Sequence, residues 1–310
     1  MADDAHQPVL LNEAVAGLNI KKEGIYIDGT FGRGGHASAV LAQLGPKGRL
    51  LAMDKDPEAV SVAHQKFADD DRFAIEQGSF ALLDRIVAQR GWLGRVDGVL
   101  LDLGVSSPQL DSAQRGFSFL KDGPLDMRMD NSSGQSAAQW LARAGAGEIA
   151  TVLKTYGEER FAKRIARAIC DARSSTPITT TSALAKIISD ANPSWEQGKH
   201  PATRSFQAIR IFINRELDDL RVCLDTLYKI LAPGGRLAVI SFHSLEDRMI
   251  KRFIRSQEQR DDIPAGLPVT HDQMPPRMRA VGKAVHAAQE EVAVNPRARS
   301  AVLRIAEKVA

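Results

Sequence analysis

The feature that most constrains this chain is a rhythm of short apolar runs alternating with helix-patterned stretches between residues 24 and 104. GIYID (24–28), RLLAMD (49–54), RFAIEQG (72–78) and VDGVLLDLG (96–104) read as strands. Between them, HASAVLAQL (36–44), the stretch opened by Pro57 and ALLDRIVAQR (81–90) read as helices. Runs that stay apolar, rather than alternating with polar residues, belong to strands buried on both faces. Strands of that kind joined through helices are parallel, with helices packed on either side. The chain is therefore expected to build an α/β sheet.

The rhythm then breaks. Residues 105–135 are loop-rich, and from 136 to about 200 the text is helical without a convincing strand. After His200-Pro201, Phe206, Ile209, Ile213, Leu217, Leu220, Leu224, Leu227 and Leu231 recur at spacings of three and four. That stripe predicts one long amphipathic helix. Pro233-Gly234-Gly235 ends it, and RLAVISF (236–242) reads as a fifth strand, LEDRMIKRFIRS (245–256) as a helix and SAVLRIAEK (300–308) as a late strand. Residues 257–299 are Pro-rich and show no clear period. The expected organisation is a discontinuous core, 1–112 with 207–310, and an inserted helical domain over 113–206. An insertion at the carboxyl end of a strand lies beside the crevice where open α/β sheets bind ligands, which suits substrate handling.

Composition narrows the function little. Lys and Arg number 41 against 38 Asp and Glu, a formal charge of +3 that permits a polyanionic partner without requiring one. Aromatic residues at 5% argue against a stacking platform as the main device. MADDAHQPVLL lacks the basic and apolar regions of a signal peptide, and no apolar run is long enough for a membrane span. Cys170 and Cys223 fall in helix-patterned segments without metal-ligand spacing, so no metal is expected. A soluble cytoplasmic protein is the expectation.

The chemistry concentrates where the first strand meets its helix, in DGTFGRGGH (28–36). Gly29, Gly32, Gly34 and Gly35 clear side chains from a turn that opens a helix, an arrangement that presents backbone N–H groups to an anion. The spacing is not G-x-G-x-x-G, and Asp28 stands beside the loop, where a pyrophosphate would meet an unwelcome charge. Asp28 suits a ligand that carries an ammonium and a sulfonium, and S-adenosylmethionine has both. Asp54, at the end of the second strand, is placed for the hydroxyls of a ribose. A nicotinamide cofactor remains the alternative, since it uses the same second-strand acid.

Together with this loop, LDLGVSSPQLD (101–111) and SFHSLEDR (241–248) resemble the bacterial 16S ribosomal RNA cytosine-N4 methyltransferases, the RsmH or MraW family. HQPVLLNEAV, RGFSFLKDGPLDMRMD, TYGEERFAKRIARAI, HPATRSFQAIRI and NPRARSAVLRIAE extend the likeness over nearly the whole chain. The resemblance implies a Rossmann-like core with an inserted helical domain. It implies methyl transfer from S-adenosylmethionine to the exocyclic N4 of a cytidine in the decoding centre of 16S rRNA, with the small ribosomal subunit as the expected partner. Carried over by residue, Gly34, Gly35, His36, Asp54, Phe80, Asp102 and Gln109 would contact the cofactor, beside Asp28 and Gly32 of the loop.

The residues carry readings of their own. Phe80 follows the third strand, where an aromatic face packs on adenine or simply on the core. Asp102 ends a buried strand, and an isolated buried charge is costly without a partner. Cytosine N4 is a poor nucleophile because its lone pair is delocalised into the ring, so an acceptor that draws its proton assists attack. Asp102 and the Ser106-Ser107-Pro108 loop are the candidates for that role, and His243, past the fifth strand, is a further one. For RNA, Arg160, Arg164 and Arg167 share a helical face, Arg128 lies in GPLDMRMD, and His200 with Arg204 would clamp a phosphate where the insert rejoins the core. A catalytically idle, adenosyl-liganded assembly factor is the remaining alternative.

Overall fold

The computed structural model describes residues 8–195, 198, 200–259 and 276–309. Five strands, β1 (Ile25–Asp28), β2 (Arg49–Asp54), β3 (Phe73–Gln77), β4 (Val96–Asp102) and β5 (Leu231–Ser241), pair in parallel in the order β3-β2-β1-β4-β5. Three short or late strands follow, β6 (Met278–Ala280), β7 (Val285–His286) and β8 (Val302–Lys308). β8 closes against β5 antiparallel, and both β6 and β7 pair with β8. This is a Rossmann-like sheet, and its order reverses between β1 and β4, the place where such sheets bind ligands at their carboxyl ends.

Alternate residues along each strand feed two cores. Tyr26, Leu50, Ala52, Leu100, Ala238 and Ile240 face one side, packing with α1 (Leu11–Leu18), α2 (Gly35–Gln43) and α3 (Pro57–Lys66). Ile27, Leu51, Met53, Val99, Leu101, Leu237 and Val239 face the other, with α4 (Leu83–Gln89), α11 (Glu216–Ile230) and α12 (Ser244–Gln259). Burial on both faces is why these strands read as unbroken apolar runs.

The chain divides into two compact units, Met1–Gly104 with Asp218–Ala310, and Val105–Leu217. The second is built on helices: α5 (Ser107–Asp111), α6 (Ala137–Arg143), α7 (Ala146–Gly157), α8 (Ala162–Ser175), α9 (Thr181–Ala191) and α10 (Thr203–Ile213). Trp140, Leu153, Ile165, Ile169, Ile188 and Ile209 are part of its own core. Ser136 opens α6 with a capping box, its hydroxyl accepting from Gln139 N–H (3.2 Å) while Gln139 Oε1 accepts from Ser136 N–H (3.0 Å).

The single helix expected from 206 to 231 is two helices. α10 stops at Ile213, and Arg215 adopts φ 53°, which no α-helix accommodates. The Asn214 side chain holds the break, its Nδ2 donating to the carbonyls of Met127 (2.7 Å) and Arg210 (2.9 Å) and its Oδ1 accepting from Met129 N–H (2.7 Å). A two-pronged ion pair from Arg210 to Glu216 (both 2.8 Å) bridges the interruption. Elements with no counterpart in the sequence reading include α1, α5 in the stretch read as loop, and within 257–299 the strands β6 and β7 with helix α13 (Gln289–Val294). Residues 260–275 of that stretch lie outside the described residues. No helix among the described residues is long and apolar enough to cross a membrane.

Candidate active site

The glycine loop is stitched to both strands that flank β1. Gly29 N–H donates to the Leu100 carbonyl and Phe31 N–H to the Met53 carbonyl, each at 2.9 Å. Gly34 caps α2 in the left-handed conformation (φ 71°), and a Cβ there would stand 2.5 Å from the Phe31 ring. A Cβ on Gly35 would stand 2.1 Å from Pro8. Glycine is required at both positions for close packing of the protein on itself, whatever else approaches the loop.

Carboxylates ring this loop. Asp28 is 1% exposed, and its Oδ1 accepts from Thr30 N–H at 3.1 Å. Asp54 clamps the loop directly: Oδ2 accepts from Gly32 N–H (2.7 Å) and Oδ1 from Asp56 N–H (2.9 Å). A carboxylate oxygen has two lone pairs, so each retains one for a further donor. Thr30 Oγ1 accepts from the Asp102 N–H at 2.6 Å, fixing the end of β4 to the loop. His36, in the first turn of α2, brings Nδ1 within 3.7 Å of Asp102 Oδ2.

Burial governs the electrostatics. It lifts the Asp28 carboxyl to about 7, with the Asp54 charge adding to the rise. Asp54 is likewise lifted to about 6 by burial, against the pull of its two backbone donors. Asp102 stands well above the usual carboxylate range, through burial first and then the charges of Asp28 and Glu246. Burial drives the His36 imidazole down to about 4, so it is neutral at physiological pH. Asp102 Oδ1 and His36 Nε2 are buried without a hydrogen-bond partner. Such a pocket disfavours its own negative charges and accepts a cationic ligand readily.

Residues 3–309 match the model of the MraW methylase family. The chain belongs to that family. It is 59% identical over 307 residues, 99% of this chain and 98% of the other, to the ribosomal RNA small subunit methyltransferase H of Thioalkalivibrio sulfidiphilus. Among solved structures, an rRNA methylase from Streptococcus thermophilus has a TM-score of 0.44 at 12% identity, covering 99% of this chain and 100% of that one. A SAM-dependent O-methyltransferase from Thermotoga maritima has a TM-score of 0.42 at 11% identity, covering 99% and 69%.

The methyl donor of this MraW methylase is S-adenosylmethionine, and the site residues fit it. The crowded, buried acids Asp28 and Asp54 match a ligand with an ammonium and a sulfonium. The N-terminus of α2 at Gly34-Gly35 matches its carboxylate. Phe80 is half-buried and packs against the core side that carries Leu101.

The other predicted residues fall as follows. Ser106, Ser107, Pro108 and Gln109 open the helical unit, and Gln109 Oε1 accepts from Ser106 N–H at 2.9 Å. His243 stands at the start of α12, with Nε2 3.2 Å from Glu246 Oε1. Arg128 closes its own loop: it grips Asp126 through Nε (2.8 Å) and Nη2 (2.7 Å) and reaches the Ser133 carbonyl. Arg164 and Arg167 are exposed on α8, where Ile165 and Ile169 are buried. Arg160, expected on the same helical face, is exposed in the turn before the cap residue Phe161 and is not part of that helix. The His200 ring stacks on Phe119 (centroids 4.5 Å apart), while Arg204 Nη1 donates to the Glu158 carbonyl at 3.2 Å.

Sequence reasoning passed over Thr30, Glu246 and the trio Ser79, Lys55 and Asp219. In that trio, Asp219 Oδ2 accepts from the Ser79 hydroxyl and pairs with Lys55 Nζ, both at 2.6 Å, at the end of β2 beside Asp54. SFHSLED contained one usable signal, since a Glu three residues past a polar helix-opening residue marks a capping box.

Proposed function

We propose that this MraW methylase transfers a methyl group to the exocyclic N4 of a cytidine in the decoding centre of small-subunit ribosomal RNA, in the cytoplasm. The observation that carries the reading is the 59% identity, end to end, with a ribosomal RNA small subunit methyltransferase H. S-adenosylmethionine supplies, when bound, an electrophilic methyl on its sulfonium. Asp28, Gly32, Gly34, Gly35, His36, Asp54, Phe80, Asp102 and Gln109 are the residues proposed to hold it.

The chain's own contribution is orientation and proton handling. Asp102 Oδ1, buried and unpartnered, accepts a hydrogen bond from the N4 amino group, draws nitrogen lone-pair density out of the ring, and receives the proton. Ser106, Ser107 and Pro108, four to six residues farther along the chain, are proposed to position the base. Fixing nitrogen and methyl in line supplies much of the acceleration without a covalent enzyme intermediate. The target cytidine leaves its stack to be read, at a cost of a few kcal/mol, less outside a duplex. On the helical unit, Arg160, Arg164 and Arg167 are the proposed backbone track, with Arg128, His200 and Arg204 as further contacts.

The test is methyl transfer to small ribosomal subunits from a strain lacking this activity, followed by nucleoside mass spectrometry. N4-methylcytidine is the expected product. Labelled RNA with the methyl elsewhere, or no transfer, overturns the reading.

A further inference from the structure

At the carboxyl ends of β4 and β5, two buried polar atoms stand without hydrogen-bond partners: Oδ1 of Asp102 and Nε2 of His243. The strands are neighbours in register. Asp102 pairs with Ile240, Leu103 N–H donates to the Ile240 carbonyl at 3.0 Å, and His243 lies three residues farther on. Asp102 is also within reach of the charge of Glu246, whose Oε1 sits 3.2 Å from His243 Nε2.

The hydrogen-bonding sense of Nε2 follows from what Nδ1 does. α12 opens with a capping box in which histidine is the cap. Glu246 N–H donates to His243 Nδ1 at 3.5 Å, and Glu246 Oε2 accepts from Phe242 N–H (2.9 Å) and His243 N–H (3.3 Å). A neutral imidazole that accepts at one nitrogen carries its proton on the other. Nε2 is therefore a donor, and the nearby Glu246 carboxylate lies out of hydrogen-bond alignment with it. His243 does not serve as the base for N4. It offers a hydrogen instead.

We propose that Asp102 and His243 read the edge of the target base together, Asp102 Oδ1 accepting from the N4 amino group and His243 Nε2–H donating to the adjacent N3. Cytosine presents a donor at position 4 beside an acceptor at position 3. Uracil presents the reverse, so both contacts become mismatched in a buried site. A site built around buried polar partners rejects such an analogue strongly, because its own groups are left unpaired. The pair thus assigns His243 as a specificity-determining residue, while proton acceptance stays with Asp102. This rests on the cytosine-N4 reading above.

The experiment uses the full-length protein and small subunits reconstituted with cytidine or 3-deazacytidine at the target position; the analogue keeps the amino group and replaces N3 by C–H. Wild-type kcat/KM is expected to fall about tenfold or more on the analogue, the scale of one lost buried hydrogen bond. His243→Leu is expected to lose a similar factor on cytidine and to show no further loss on 3-deazacytidine. Independent losses that multiply in this cycle overturn the pairing. An unchanged wild-type rate on the analogue overturns it with no variant needed, so a variant that folds poorly leaves the test intact. Failure of the parent reading shows separately, as absence of N4-methylcytidine from wild-type enzyme on ordinary cytidine.

Discussion

His36 Nδ1 lies 3.7 Å from Asp102 Oδ2, and burial keeps that imidazole neutral. A neutral ring beside a carboxylate leaves the acid's charge uncompensated, and Oδ1 without any hydrogen-bond partner. Burial first, and then the charges of Asp28 and Glu246, hold the carboxyl well above its ordinary range. Such a group is poised to gain from any donor that enters, and the proposed donor is the amino group to be methylated. Asp102→Asn keeps the shape and removes the proton acceptor. It is expected to lower kcat by at least about 100-fold, the usual scale for a general base, measured by single-turnover methyl transfer at saturating cofactor. Near-normal turnover would remove Asp102 from the chemistry.

Asp28 makes a stability prediction with a definite sign. Its carboxyl is lifted to about 7 in the fold, above its unfolded value, so the fold favours the protonated form. That contribution is present at acidic pH and lost as pH rises through about 7. Asp28→Asn, which still accepts from Thr30 N–H, is expected to raise the stability of the cofactor-free protein at pH 8 by about 1–3 kcal/mol. At pH 4, close to the unfolded value, it is expected to change stability little, and at pH 8 to weaken S-adenosylmethionine binding. Denaturant titrations at the two pH values and calorimetry check both halves. A loss of stability at pH 8 would refute the assignment.

The same acids set the pH dependence of cofactor affinity. A cationic ligand needs Asp28 and Asp54 ionised, and these stand at about 7 and about 6. Binding therefore strengthens as pH rises through that range. If one proton leaves Asp28 on binding, Kd for S-adenosylmethionine falls about 20-fold between pH 5.5 and 7.5. S-adenosylhomocysteine, without the sulfonium, is expected to respond less. Isothermal titration in buffers of different ionisation heat reports the released proton, and a flat profile would contradict the electrostatic reading.

Much of this was legible in the residues. β2 runs over the six residues read from RLLAMD, and the strand-end acids Asp28 and Asp54 stood out because a charge closing an apolar run has to be explained. The break at Asn214–Arg215 was not legible, because the apolar stripe continues across it unchanged. Bonds from Asn214 to Met127 and Met129, distant in sequence, decide it. α1 is eight residues long, starts at a left-handed Leu10 and has no side-chain cap, so it lacks the usual marks of a helix start. β6 and β7 span three and two residues and exist as strands through their pairing with β8. Glu246 was hidden in a segment that reads as a charged surface helix, yet its side chain turns inward to cap that helix. Periodicity reports the face a helix buries, and is silent on polar groups that fold back onto a backbone.

The helical unit supplies the last prediction. Arg164 and Arg167 are exposed on α8, and neither is expected to support the core that Ile165 and Ile169 build on the opposite side. Charge reversal at both should leave the melting temperature and the affinity for S-adenosylmethionine unchanged while weakening binding of ribosomal RNA. If each contacts one phosphate, the slope of log affinity against log salt becomes shallower by about 1.4–1.8 for the pair, the range from single strands to duplexes. Fluorescence anisotropy with labelled RNA over a salt series measures that slope directly. A double variant that binds RNA more weakly with the wild-type slope has lost something other than phosphate contacts. One that retains full affinity places the backbone track on another face of the protein.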